Sequence, residues 1–133
     1  MSSKMNPTVK ALWVDALRSG EYRQGRGQLH NDTTGEYCCL GVLCSLYMQH
    51  TGKGDWVRPT NSLMGFKGRE GICECFPPAE VQYWADLYCN DPRIMPSTDP
   101  RNDSFGIPAA VSHVNDRLGL TFAEIADLIE ENL

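Results

Sequence analysis

A chain of 133 residues, 41% apolar and 22% charged, has the balance of a globular protein and the length for one core that needs neither disulfides nor a metal to hold it. A formal charge of −5 disfavours wrapping long nucleic acid, whose affinity comes from Lys and Arg neutralising phosphates, but it leaves room for a small anionic ligand in a local basic pocket. No apolar run is long enough to span a bilayer and residues 1–10 have no apolar stretch behind their lysines, so no membrane partner, signal or anchor is expected and the cytoplasm is the expected location.

Asn6 as N-cap, Pro7 at the first helical position and Val9, Leu12, Trp13, Ala16 and Leu17 at helical spacing predict a first helix that Gly20 ends. Glu21 to Gln28, with Gly25 and Gly27 among Arg23, Gln24 and Arg26, reads as an irregular loop. Leu29-His30 and Glu36-Tyr37 flank the turn-rich run Asn31-Asp32-Thr33-Thr34-Gly35, which predicts a short hairpin. From about Cys38 to Gln49 the chain is apolar on nearly every face, as expected of a central helix surrounded by the rest of the domain. Gly41 inside it weakens the helix, so either a neighbouring backbone or a ligand is expected to approach closely there, beside the simpler reading of plain helix packing.

Thr51 to Phe76 reads as loops with one or two short strands around residues 71–76, and Pro77-Pro78 opens another helix with Val81, Trp84, Ala85 and Tyr88 on one face. Asn90 to Gly106 reads as a long polar loop of the kind that binds or covers ligands. Pro108 to about Leu118 predicts a helix with Gly119 as its C-cap, and Thr121-Phe122-Ala123-Glu124 is a capping box opening the last one, whose stripe is Phe122, Ile125, Ala126 and Ile129. The expected architecture over residues 1–133 is therefore a single α+β domain, mainly helical, with about five helices around a central buried one and a short hairpin or small antiparallel sheet.

Several strings form a recognisable pattern: WVDALRSG at 13–20, Tyr22-x-Gln24-Gly25-x-Gly27-x-Leu29, YCCLGVLC at 37–44, and Val114-Asn115-Asp116 followed by TFAEIADLIE at 121–130. With these the chain resembles a family of small proteins encoded by bacteriophages and prophages, over about half its length and at both ends. The resemblance implies a setting rather than a chemistry: the blunting of host defence, one route being capture of a nucleotide-derived immune signal such as a cyclic dinucleotide or an ADP-ribose derivative.

The residues themselves direct attention to the loop before the central helix. Arg23, Gln24 and Arg26 stand among glycines that expose backbone N–H groups, and Tyr37, Cys38 and Cys39 stand where a helix N-terminus should offer free donors and partial positive charge to a phosphate. Tyr22, Tyr37 and Trp13 are candidates for stacking on a base, and the alternative is a surface turn with solvated arginines. Asn115 falls on the apolar face of its helix with Val111, Val114 and Leu118. It is expected either to lock the fold through backbone groups of residues 37–44 or to meet a base or ribose, and Asp116 to accept from a ribose hydroxyl or a loop N–H.

The cysteines Cys38, Cys39, Cys44, Cys73, Cys75 and Cys89 are expected to be reduced, and their spacing is not that of a zinc module, so neither metal nor cofactor is expected. Thiol catalysis by Cys38 or Cys39 with His30 or the exposed His113 as base matches no recognisable protease signature. The leading expectation is a non-catalytic sponge for a small nucleotide-like ligand, with a homo-oligomer as its expected form. The alternatives are an enzyme that cleaves the signal and a protein-binding inhibitor of a host factor, the latter using Trp56, Phe66 and Phe76 as an exposed patch.

Overall fold

The computed structural model describes residues 5–58, 63–69, 71–95, 101 and 108–133. Helix α1 spans Pro7–Ser19; the Asn6 side chain accepts from the N–H groups of Thr8 (2.9 Å) and Val9 (3.2 Å), satisfying donors that the first turn leaves orphaned. Its buried face is Val9, Trp13, Val14 and Leu17, and Gly20 ends it at φ 80°, a left-handed conformation that costs a glycine nothing.

Three short strands follow: β1 (Arg23–Gln24), β2 (His30–Asn31) and β3 (Glu36–Tyr37). The expected hairpin is present, β2 pairing antiparallel with β3 through His30↔Tyr37 and Asn31↔Glu36. The stretch expected to be irregular contains β1, which lies parallel to β3 with Arg23 opposite Glu36 and Gln24 opposite Tyr37. Parallel pairing across this distance in sequence leaves no turn signal to read, which is why local chemistry pointed to a loop.

Helix α2 (Cys39–Thr51) is the central helix, with every residue from Cys39 to Tyr47 buried. Its Gly41 is required by backbone: an added Cβ would lie 1.9 Å from the Leu29 carbonyl oxygen. The close approach expected at this glycine is made by the Leu29 backbone of the same chain.

A second sheet, β4 (Asp55–Val57), β5 (Gly65–Gly68) and β6 (Gly71–Cys73), runs antiparallel in that order, and Phe66 opposite Trp56 is wholly buried. Phe66 therefore belongs to the core rather than to an exposed aromatic patch, and Trp56 is half-buried with its indole N–H donating to the Ser45 hydroxyl at 3.1 Å.

Helix α3 (Ala79–Ala85) begins after Pro78 and ends where Asp86 turns left-handed at φ 58°. Tyr88, expected on its buried face, lies beyond that end and is exposed, its hydroxyl accepting from the Arg93 N–H. The expected long loop from Asn90 in fact carries strand β7 (Arg93–Ile94), paired with β8 (Ala109–Ala110), and most of the remaining loop lies outside the described residues.

Pro108 precedes β8 instead of opening a helix, and helix α4 is confined to Val111–Asp116, so Leu118 falls outside it and is exposed. Its start is held from another segment: Asp91 accepts from the Ser112 N–H (3.0 Å) and hydroxyl (2.6 Å). Helix α5 (Phe122–Asn132) has the reciprocal capping box, the Thr121 hydroxyl accepting from the Glu124 N–H while Glu124 accepts from the Thr121 N–H. It packs on α1, where Arg18 meets Asp127 at 2.5 Å and Glu130 at 3.1 Å. The fold is α+β, helices around buried α2 with small sheets at the periphery, and among the described residues no helix is long and apolar enough to cross a membrane.

Candidate ligand-binding site

The motifs at both ends of the chain converge on one hydrogen-bonded network. The Gln24 carboxamide donates to Asn115 Oδ1 (3.0 Å) and the Leu120 carbonyl (2.8 Å), and its oxygen accepts from the Phe122 N–H (3.1 Å), an orphan donor of the first turn of α5. Asn115 is fully buried and donates in turn to the Gly25 carbonyl and to Asp116 Oδ1, both at 2.8 Å. Of the two readings open for Asn115, the geometry selects the lock, with partners from residues 24, 25 and 116 instead of residues 37–44. Gln24 is likewise occupied by the fold.

The start of α2 is interior. Cys38 donates its N–H to the Leu29 carbonyl (3.1 Å), its thiol sits against the N–H groups of Leu40 and Gly41, and Cys38 to Gly41 are all buried. The helix terminus expected to face a phosphate is thus buried and roofed by Leu29. Burial pushes the Cys38 thiol up to about 12 and lifts those of Cys39 and Cys44 well above the ordinary range, so the charged nucleophile is disfavoured at all three. Cys39 points its sulfur at the Val111 carbonyl.

The expected stacking faces are also taken. Trp13 is wholly buried, its indole N–H donating to the Cys39 carbonyl at 2.9 Å. Tyr37 stacks on His30 with centroids 4.0 Å apart and meets Tyr22 edge-on at 5.2 Å, while the Tyr22 hydroxyl accepts from Gln49. Burial raises the Tyr37 phenol, against a hydrogen bond from Ser45 that lowers it. His30 Nδ1 lies 3.0 Å from the Glu36 carbonyl, which can only accept, so the ring proton sits on Nδ1. His113 is exposed on α4.

What remains open to solvent is a cleft of about 440 Å³ lined by Gln24, Gly25, Arg26 and Glu36. Arg23 stands beside it, exposed and reaching the Thr34 carbonyl at 3.4 Å, and Arg26 extends towards Gly119. Among the described residues neither arginine has a carboxylate partner within ion-pair distance. Glu36 was not singled out in the sequence because the parallel register that brings it opposite Arg23 is a long-range pairing. Its carboxylate accepts from the Thr34 hydroxyl (3.0 Å) and crosses over Gly25, where an added Cβ would lie 2.7 Å from Glu36 Cβ.

Among the described residues no group of three or more His, Cys, Asp or Glu side chains is placed to hold a metal ion. No curated protein and no solved structure matches the chain. A family model does, along residues 5–133, and the chain accordingly belongs to the family described as a domain of unknown function, DUF8296.

Proposed function

We propose that this protein is a phage-encoded binding protein, without catalysis of its own, that sequesters a nucleotide-derived immune signal in the cytoplasm of an infected bacterium. The signal is a cyclic dinucleotide or an ADP-ribose derivative, and a homo-oligomer is the expected form of the sponge. The observation that carries the reading is the cleft lined by Arg26 and Glu36, with Arg23 beside it opposite Glu36 in the β1–β3 register and, among the described residues, neither arginine in an ion pair. Guanidinium groups suit phosphate oxygens and a carboxylate suits donating hydroxyls, so the pairing fits a ligand bearing both phosphate and ribose. Asp116, whose Oδ1 accepts from Asn115, is a second candidate acceptor through its other oxygen. The burial of Cys38 and Cys39 supports capture over thiol-dependent cleavage. The acidic chain supports a small ligand over long nucleic acid.

Thermal-shift screening against cyclic dinucleotides and ADP-ribose derivatives tests this, because a ligand that binds the folded state raises the melting temperature by mass action. A hit should be released chemically unchanged on heating, and Arg23→Ala and Arg26→Ala should each weaken it. A cleaved product would replace the sponge with an enzyme. An affinity indifferent to both arginines would move the site elsewhere, and no shift across the panel would end the reading.

A further inference from the structure

Strand β6 ends on two thiols, Cys73 and Cys75, that the Arg23/Arg26 cleft does not use. Both line a second cleft, of about 350 Å³, together with Asn90 and the exposed Phe76. Residues two apart in an extended segment share one side of it. Two residues of fully extended chain span at most about 7 Å, the upper edge of what a disulfide bridges. Here the chain bends at Glu74, Cys75 and Phe76, and a bent chain spans less. The two thiols differ in access. Cys75 is exposed, whereas Cys73 is half-buried against the core and burial raises its thiol above the ordinary range. Cys75 is therefore the sulfur that meets a reagent first, and Cys73 the one that follows.

The peptide between these thiols holds the segment that follows Arg26. The Cys75 thiol donates to the Gly27 carbonyl at 3.8 Å, and the Glu74 carbonyl accepts from the Leu29 N–H at 2.8 Å. Leu29 in turn accepts from the Cys38 N–H at the start of α2 and lies against Gly41. Gln28, between the two held residues, adds no anchor through its side-chain oxygen, which is buried without a partner among the described residues. A change of chemistry at residues 73 and 75 is thus felt directly at residues 27 and 29.

We propose that Cys73 and Cys75 are a reversible redox pair that closes into a disulfide on meeting a small-molecule disulfide and thereby loosens residues 27–29 from the end of β6. The Cys75 thiolate attacks the small disulfide, forming a mixed disulfide and expelling one thiol, and the Cys73 thiolate then attacks Cys75 Sγ and expels the second. One dithiol and one small disulfide become one protein disulfide and two small thiols, the protons lost by the cysteines ending on the thiols released. The product has no S–H at residue 75, so the Gly27 carbonyl loses its donor, and ring closure turns the Glu74 peptide that holds Leu29. The inference does not depend on the ligand assigned to the Arg23/Arg26 cleft.

The test is to incubate the full chain with oxidised glutathione, map its peptides by mass spectrometry and follow amide exchange at Leu29. The wild type should lose two hydrogens from the peptide holding Cys73 and Cys75 and retain no glutathione there. Exchange at Leu29 should quicken by about tenfold, as expected when one hydrogen bond is weakened, and dithiothreitol should reverse both changes. Cys73→Ser should stop at the mixed disulfide on Cys75. Cys75→Ser, whose hydroxyl can still donate to Gly27, should form no bridge and keep the slow Leu29 exchange with or without oxidised glutathione. The proposal is overturned if the wild type rests as a mixed disulfide on Cys75, or if Cys75 bridges to Cys38, to Cys89 or to a second chain instead. It is overturned equally if the bridge between Cys73 and Cys75 forms while Leu29 exchanges at its reduced-state rate.

Discussion

Gln24 on β1 and Asn115 on α4, 91 residues apart in sequence, share a 3.0 Å hydrogen bond whose two side chains also hold the Leu120 and Gly25 carbonyls and the first N–H of α5. The motif glutamine and the motif asparagine are therefore one device. It joins the strand before the central helix to the C-terminal helix pair.

Asn115→Leu should cost about 1–3 kcal/mol of stability, because it strands the half-buried Gly25 carbonyl and one of the two Gln24 amide protons without partners. Gln24→Ala should cost a similar amount. Since both changes break the same bond, the double variant should lose less than the sum of the two, by about 0.5–3 kcal/mol. Urea unfolding of the four proteins measures this, and strict additivity would mean that the two side chains do not work together.

Gly41→Ala offers a sharper contrast. At an ordinary helical position this change gains about 1 kcal/mol, whereas here the new methyl group would be driven into the Leu29 carbonyl and should cost about 3 kcal/mol. A variant with wild-type stability in the same denaturation assay would refute the packing of the Leu29 backbone on α2.

The thiols should separate into two classes. Cys75, exposed, should react with iodoacetamide in the folded protein, while Cys38, Cys39 and Cys44 should be protected until it unfolds. The linkage has a definite sign. The folded Cys38 thiol holds its proton up to about 12 against an ordinary 9.0, so the unfolded chain loses that proton first and stability declines as pH rises from about 9 to about 12. Mass spectrometry after pulsed alkylation, together with the urea midpoint from pH 8 to 11, checks both statements. A midpoint that rose with pH in a variant retaining only Cys38 would contradict the second.

Thr121→Ala should remove one half of the α5 capping box and cost about 1 kcal/mol. Circular dichroism melts of wild type and variant provide the comparison, and an unchanged melting temperature would mean that the packing of Phe122 and Ile125 alone sets this helix start.

At α1, α5 and the hairpin, where the signal was confined to a few neighbouring residues, the sequence alone determined the element. Asn6-Pro7 and Gly20 bound α1, Thr121 and Glu124 open α5, and the turn between His30 and Tyr37 makes the hairpin, because caps and turns are satisfied within a few residues. The all-round apolarity of residues 38–49 likewise placed α2 at the centre, since such a helix has no face it can leave in water. Tertiary structure decided what the charged and polar motif residues do. The parallel β1–β3 pairing, the burial of the α2 terminus under Leu29 and the commitment of Gln24 and Asn115 to each other all join segments far apart in the chain. A side chain's identity states which bonds it can make. Whether protein or solvent makes them depends on which distant backbone arrives beside it, and here that leaves Arg23 and Arg26 exposed and Glu36 lining a cleft while Gln24 and Asn115 are bonded to each other.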